Sequence, residues 1–532
     1  MKNSGYSDGG ASVTRNTIKT YQPRHYSAKE DIDRNLQTLR DRAHDLAINS
    51  AIGAAAINTQ ATNVIGVGLK LFPRINAKAL GVTPEFARDW ARKTKLEFEL
   101  WANSALACDF MRRNNFYELQ RIAFTSYLVD GDSFCLFRRR VPTPFNPYSL
   151  RLQIIESARV SNPVTAGNFA AVSNVEMQKV GSNNRIVNGI EVDSQGALVA
   201  IWISNRIWNE PTSLTPYLTW QRVRWYGRDT GEKNILHICA DTRPDQFRGV
   251  PLLAPVIEPL KQISRYADAE LTSAIIKSFF SIFFTQPLSN MSVDNILGEN
   301  EDGKPIVDVS EYRLGPATMA ALPKGVDVKA IDSTNAQSTF DVFISAFAKQ
   351  IGAATNIPFE VLLKNFTASY SASRAALLQA QDEFRQRKGW FVNDFCKPIY
   401  EQWLMEAVAT GRISAPGFFD DPIKRAAWSA ADWFSPNSHF LDPVKEVQAM
   451  ILRLNAGLST YSQEIAEATG QDFQDVIETL GQERTLINAL PPPPEQAILQ
   501  QQQEAESDDN SDDDTEDDNE LQKLRRAQRR LP

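Results

Sequence analysis

Residues 260–284 run for twenty-five positions without a proline and place Leu260, Ile263, Ala267, Leu271, Ala274 and Ile275 at helical spacing. At 1.5 Å per residue such a rod is roughly 37 Å long. Its far end, 275–284, is apolar nearly all round, so the rod must be buried against several neighbours rather than along one stripe. That end is too short to span a bilayer, which takes about 20 apolar residues, and it carries Lys277. A second helix is expected over 339–354, with Phe340, Phe343, Ile344, Phe347 and Ile351 on one stripe. Between the two rods, 285–335 is strand-like and punctuated by proline and glycine. A third helical region, 373–410, is interrupted by Pro398, which removes a helix hydrogen bond and should kink it.

The remaining patterns are mixed, giving an α+β chain whose 532 residues suit two to four structural units. Residues 1–28 are polar and expected to be disordered. Helical spacing follows over 29–62, turning to strand from Asn63, then helices over 84–109 and 116–127. Alternating runs at 134–138, 152–155, 189–192 and 198–203, with a turn at Asp193-Ser-Gln-Gly196, read as a mostly antiparallel β region. Small capped helices are expected at 444–455, before Gly457, and at 461–469, before Gly470. Four prolines from Pro491 stop the fold, and the Gln-rich, acidic sequence after them is expected to be disordered.

The net charge of −7 is concentrated in that tail: residues 501–532 hold 11 acidic and 5 basic side chains, leaving 53 and 52 elsewhere. A near-neutral body argues against a general DNA-coating protein. Cys108, Cys135, Cys239 and Cys396 are widely spaced, which disfavours a disulfide scaffold or zinc site and fits a reducing compartment. The first residues lack an apolar signal region, so a soluble, intracellularly made protein is expected.

Catalytic patterns are missing. There is no phosphate-binding G-x-x-x-x-G-K-[S/T] loop, and Gly66-Val-Gly68 lacks the third glycine of a dinucleotide fingerprint. Gly131-Asp-Ser133 begins like a nucleophile elbow, but Cys135 stands where glycine is needed. His25, His44, His237 and His439 have no metal-ligand spacing, and His237 reads as a hydrogen-bonded structural histidine. Asp512-Asp-Asp514 reads as a solvated charge run. No enzyme and no cofactor are expected.

A set of ordered blocks over residues 40–485 carries more information. They are Arg42-Ala-His-Asp45-Leu46, Asn63-Val-Ile-Gly66-Val-Gly68-Leu, Trp101-Ala-Asn with Cys108-Asp109, and Ile154-Ile-Glu156. Next come Asn188-Gly-Ile-Glu-Val-Asp193 with Gly196 and Ala200-Ile-Trp202, Ile235-Leu-His237, and Arg243-Pro-Asp-Gln246-Phe-Arg248-Gly-Val-Pro251. The longest is Ile357-Pro-Phe-Glu360-Val-Leu-Leu with Asn365-Phe-Thr-Ala-Ser-Tyr370-Ser-Ala-Ser-Arg374-Ala-Ala, followed by Trp403 and Ala407. Asp442-Pro-Val-Lys-Glu446 and Gly457-Leu-Ser-Thr460 close the series. Together they resemble the bacteriophage portal family typified by phage lambda.

The resemblance implies a portal fold assembled as a ring, typically of twelve copies. It implies an α/β wing at 29–250, a stem helix at 251–284, a clip at 285–335 and a second stem helix at 336–356. A tunnel loop would follow at 357–372, a kinked wing helix and connection at 373–439, a helical crown at 440–490, and the acidic tail at 491–532. The ring would sit at one capsid vertex of the virion as DNA channel, packaging-motor dock and head–tail attachment site. Its partners would be the major capsid protein and scaffold, the terminase large subunit, head–tail adaptors and passing double-stranded DNA, with no membrane. The segment facing DNA would be Lys364, Asn365, Phe366, Thr367, Ala368, Ser369, Tyr370 and Ser371. Lys364 reads equally as an ordinary surface lysine. For Arg243 and Arg248 the favoured reading is a turn pinned by guanidinium hydrogen bonds. The alternative is another head–tail connector or minor capsid protein; a packaging nuclease or ATPase would need motifs that are missing.

Overall fold

A computed structural model describes residue 6 and residues 10–163, 176–179, 181–207, 218–278, 282–285, 327–330, 339–366, 370–435, 443–469 and 471–489. The chain divides into two units, Met1–Trp433 and Phe434–Pro532.

The larger unit opens with a π turn at Lys29–Asp33, then α1 (Leu36–Asn49) and α2 (Ala51–Val64). The expected single helix is broken at Ser50, whose extended backbone and side-chain oxygen, accepting from Gly53 N at 3.3 Å, start α2 afresh. Helix then persists through Val64, so the strand expected from Asn63 begins later, as β1 (Lys70–Pro73). After α3 (Ala77–Leu80), Thr83 caps α4 (Pro84–Ala102), which buries Trp90, Thr94, Phe98 and Trp101 at steps of four, four and three. A short α5 (Ala105–Cys108) precedes α6 (Phe116–Asp130). The α6 helix begins in a reciprocal Asn115–Glu118 capping box and ends at Gly131, whose φ of 89° is left-handed.

Two antiparallel sheets follow. Their strands are β2 (Asp132–Arg139), β3 (Leu150–Ile155), β4 (Glu176–Gln178), β5 (Arg185–Val187), β6 (Ile190–Val192), β7 (Leu198–Ser204), β8 (Trp220–Arg224) and β9 (Ile235–Cys239). One sheet runs β3-β2-β9 and the other β4-β5-β6-β7-β8. Strand β2 is apolar on both faces because both are covered. Phe134 and Leu136 join a core with Ile190, Val192 and Ile201 from the second sheet and Trp225 just after β8, whereas Cys135 joins the helical core. Helix α7 (Ile257–Ser278) is next, but it stops short of the expected end. Ile282–Thr285 forms β10, paired antiparallel with β11 (Asp327–Ala330) from Ile282↔Ala330 to Thr285↔Asp327. A short run of β-branched and aromatic residues satisfies a helix stripe or a strand equally, and here the strand wins. Residues 286–326 and 331–338 lie outside the described residues.

Helix α8 (Thr339–Thr355) packs on α7 through Tyr266, whose ring centroid is 4.2 Å from Phe343 and 5.7 Å from Phe340. Then come α9 (Phe359–Leu363), α10 (Tyr370–Phe391) and α11 (Lys397–Ala409). A π turn, Val392–Cys396, joins the last two. Pro398 has no N–H for the carbonyl of Asp394 and its ring crowds that oxygen, so the irregularity falls one turn ahead of the proline. Behind this joint lies the aromatic centre of the core, where Trp403 packs 5.1 Å from Phe98 and 5.3 Å from Tyr148. Toward the end of the unit come α12 (Pro422–Trp428) and β12 (Ala431–Phe434), which pairs with β1 and belongs to this unit in all but its last residue.

The joint contains a misplaced charge. Burial pushes the Asp394 carboxyl up to about 6, with Asp241 adding to the rise and Lys233 opposing it. A raised acid contributes stability that is complete below the unfolded value near 3.9 and lost as pH climbs through about 6. Asp394→Asn should therefore stabilise the protein by about 1 kcal/mol at pH 7.5, allowing for solvent screening of a half-buried group, and by nothing at pH 3.5. Urea midpoints at the two pH values check this; equal midpoints for variant and parent at pH 7.5 would contradict it.

The smaller unit shows α13 (Pro443–Asn455), closed by Gly457 at φ 69°, and α14 (Tyr461–Thr469), as expected. It adds α15 (Phe473–Ala489), which the sequence reading passed over. Arg453 forks onto Glu464 at 2.9 and 2.8 Å. Gly470 and the four prolines fall outside the described residues. No helix among the described residues is long and apolar enough to cross a membrane.

Candidate functional site

The segment singled out for the channel is more helical than a loop. Helix α8 ends with the Thr355 hydroxyl donating to the Ile351 carbonyl at 2.8 Å, and Asn356 turns the chain at a left-handed φ of 55°. Ile357 is buried, its N–H donating to Gly352 O at 2.9 Å, and Pro358 leads into α9, which sinks Leu362 into the core. Lys364 closes α9 at φ 54°, and the N–H groups of Lys364 and Asn365 both donate to the Glu360 carbonyl. Lys364, Asn365 and Phe366 are exposed together at this end. Thr367, Ala368 and Ser369 lie outside the described residues. Tyr370 and Ser371 belong to the first turn of α10, not to a loop as expected. Small and hydroxyl residues suit a helix start as well as a mobile connection, and composition alone does not separate the two. A cleft of about 790 Å³ lies beside the segment, lined by Lys349, Asn356, Phe359, Glu360, Gln379 and Glu383 among others.

The densest polar construction lies elsewhere and centres on Asp132, which the sequence reading noted only as the middle of Gly131-Asp-Ser133. Asp132 is fully buried. Its Oδ1 accepts from Arg40 Nη2 at 2.6 Å, Ser157 Oγ at 2.6 Å and Arg248 Nη2 at 3.3 Å. Its Oδ2 accepts from Arg248 Nε at 2.7 Å and Gly249 N at 3.2 Å, with His237 Nε2 at 3.4 Å. Arg248 also donates to the carbonyls of Val160, Asn188 and Ser157 at 2.9, 2.6 and 3.0 Å. Arg40 donates to the Asp130 carbonyl at 2.8 Å.

Two glycines make this geometry possible. A Cβ on Gly249 would sit 1.8 Å from Gly131 O, so the end of α6 and the 248–251 turn pass backbone against backbone. The signal was present in the sequence as two Gly–charge steps, Gly131-Asp132 and Arg248-Gly249, but nothing in spacing joins them.

Burial opposes the Asp132 charge, yet Arg248 and Arg40 outweigh it and hold the carboxyl well below its usual range. Burial and repulsion from Arg248 pull Arg40 down to about 10. Ser157 bonds the carboxylate rather than the histidine, and His237 stacks on Phe134 at 4.5 Å, so no nucleophile is activated here. The cluster is a clamp. Among the described residues no group of three His, Cys, Asp or Glu could hold a metal. Arg243 agrees with its structural reading: it pairs with Asp31 at 2.6 Å and donates to the Tyr26 carbonyl at 2.7 Å. That contact, with buried Ser12 and Ala28, ties down part of the stretch expected to be disordered.

The family model for phage portal protein, lambda family, matches residues 14–388. Portal protein B of Escherichia phage lambda is 24% identical over 494 residues, covering 88% of this chain and 87% of the relative. The portal protein of Escherichia phage N15 is 22% identical over 493 residues, covering 89% and 88%. Among solved structures, a chain from the virion of a native gene transfer agent particle aligns with a TM-score of 0.41 and 14% identity, over 84% of this chain and 94% of that one. A chain from the neck of the native particle, computed with C12 symmetry, gives 0.39 and 13%, over 80% and 92%.

Proposed function

The chain belongs to the lambda family of phage portal proteins, and from that premise we propose that its copies form a ring at one capsid vertex, through which DNA is packaged and released. The observation that carries the reading is the family match, which runs from before α1 into α10. The ring has about twelve copies, and its partners are capsid protein and scaffold, terminase, head–tail adaptors and duplex DNA. Residues 29–250 form the wing, α7 and α8 the stem, and 440–490 the crown. The stem helix ends at Ser278, and the clip begins with β10 and returns through β11. This outline is supported by the aromatic contact between α7 and α8 and by the antiparallel β10–β11 register.

The near-neutral body suits a conduit, since each phosphate contact adds affinity through counterion release and a strongly basic lining would hold DNA still. A ring multiplies one Lys364 per subunit into a band of positive charge at one height. The segment 364–371 faces passing DNA, with the aromatics Phe366 and Tyr370 anchoring its ends. Lys364 and the hydroxyls meet phosphates without sequence preference.

Light scattering on purified protein should give a mass several-fold above 59.6 kDa, and averaged electron micrographs a ring with a central hole. A persistent monomer at high concentration would overturn the assembly. The triple variant Lys364→Ala, Asn365→Ala, Thr367→Ala should form rings and empty capsids while packaging or retaining less DNA. Failure to form rings would make the segment a packing element. Unchanged packaging at both low and high salt would remove its role in translocation.

A further inference from the structure

A second surface of the larger unit has a chemistry that the channel reading does not use. Phe110 runs beside the free edge of β3, its N–H donating to Leu152 O at 2.8 Å. The buried Asp109 carboxylate accepts from the N–H groups of Met111, Arg113 and Asn114 at 2.9, 2.8 and 3.1 Å. With Arg112 at a left-handed φ of 61°, this fixes Met111-Arg112-Arg113 as a turn whose three side chains are exposed.

On the neighbouring strands Arg138 stands opposite Arg151. The guanidiniums of Arg138 and Arg140 lie 5.7 and 4.7 Å from the Phe110 ring centroid, and Arg140 Nη2 donates to Phe110 O at 3.0 Å. Arg151 is 3% exposed and spends Nη1 on the Tyr148 and Leu150 carbonyls. Its Nε, like that of Arg140, is buried with no hydrogen-bond partner. Glu406 is committed to Arg139 and to the N–H groups of Ser149 and Leu150. Burial pulls the Arg151 guanidinium down, with Arg140 and Arg112 adding to the fall and Glu406 opposing it. The buried Nε atoms of Arg140 and Arg151 stay inside the chain, whereas the exposed Arg112 and Arg113 guanidiniums are open to a partner.

Apolar side chains surround it. Asn146 Nδ2 donates to Leu106 O at 3.0 Å and ties the 141–146 tip to α5. On this tip Phe145 is 98% exposed and Val141 87%, with Leu106 at 62% and Met111 at 60%. A DNA backbone would use the arginines and leave this rim in water. Carboxylates fit guanidinium forks two bonds at a time, and an apolar partner removes the rim from water as well.

We propose that this face, built on Arg112, Arg113 and Arg140 and rimmed by Leu106, Met111, Val141 and Phe145, docks an acidic segment with interspersed apolar residues from a partner protein.

The experiment uses the full chain and a fluorescent 16-residue peptide alternating glutamate with leucine or phenylalanine, read by anisotropy. Binding should weaken at least about tenfold when glutamine replaces glutamate in the peptide, the expected order for losing desolvated charge pairs. Arg112→Gln with Arg113→Gln, and separately Phe145→Ser, should each produce a similar loss without changing the melting temperature, since all three side chains are exposed. Equal binding by variants and parent overturns the proposal. So does a 20-base-pair duplex whose binding disappears in the same variants, which would assign the face to nucleic acid. A change in oligomer mass in those variants would instead make it a contact between copies, and the proposal would fall.

Discussion

Asp132→Asn should cost the protein about 3–5 kcal/mol, the expected range for removing one partner of a buried ion pair. Asparagine keeps the shape of the side chain and could still accept one bond, but it leaves Arg248 and Arg40 buried with their charges uncompensated. Arg248 is 1% exposed and also holds three carbonyls, so it cannot swing out to water without breaking the clamp. Urea denaturation at neutral pH measures the loss. Because the Asp132 carboxyl is held well below its ordinary value, its contribution is fully present above the unfolded value near 3.9 and is lost only as pH falls through the depressed folded value. The parent should thus keep this term down to more acidic conditions than carboxylates ordinarily allow. A neutral-pH loss below about 1 kcal/mol, the size of a surface pair, would show that the cluster does not act as a clamp.

Gly249→Ala should be comparably damaging for a reason that involves no charge. The new methyl would lie 1.8 Å from Gly131 O, 2.3 Å from Gly131 C and 3.0 Å from Asp132 N, all backbone atoms that cannot rotate away. Relief requires the 248–251 turn to lift off α6, which also stretches the Gly249 N–H bond to Asp132. A loss of about 3 kcal/mol or more is expected, at the upper end for overpacking. Gly389→Ala provides the contrast, since a Cβ there meets nothing within 4 Å and the site lies inside α10. That substitution should stabilise by about 0.5–1 kcal/mol through helix propensity alone. Similar effects for the two glycines in thermal melts would refute the close-approach argument.

Periodicity carried the helices well where one face is buried, as in α8 with Phe343 and Phe347, and α4 with Trp90, Phe98 and Trp101. It failed where two structures satisfy the same letters: Ile282-Phe-Phe-Thr285 reads as the end of a rod but forms β10. Pro398 announced an irregularity, and the structure resolves it as a π turn rather than a bare kink. For the segment expected to face a channel, sequence located an exposed lysine at a turn but missed that Lys364 is a helix cap and Tyr370 a helix start. Arg248 and His237 were legible one at a time as hydrogen-bonded structural residues, but their convergence on Asp132 was not. Arg40, Asp132, Ser157 and Arg248 are far apart in the chain, and no local rule relates an arginine to a carboxylate 116 residues away.

That separation also sets an order of events at the ribosome. Arg40 is made before Asp132, but Arg248, the second arginine that neutralises it, comes long after, so the α6–β2 corner cannot lock fully while residue 248 is still to be made. At roughly 5–20 residues per second, the 116-residue gap leaves the carboxylate waiting roughly 6–23 s for its second arginine. During that interval the corner can hydrate its acid and stay open, and newly made chains remain pliable until the second half of the sheet region arrives. A chain interrupted before Arg248 would never close the clamp, which makes the cluster a check that synthesis has run through the 248–251 turn.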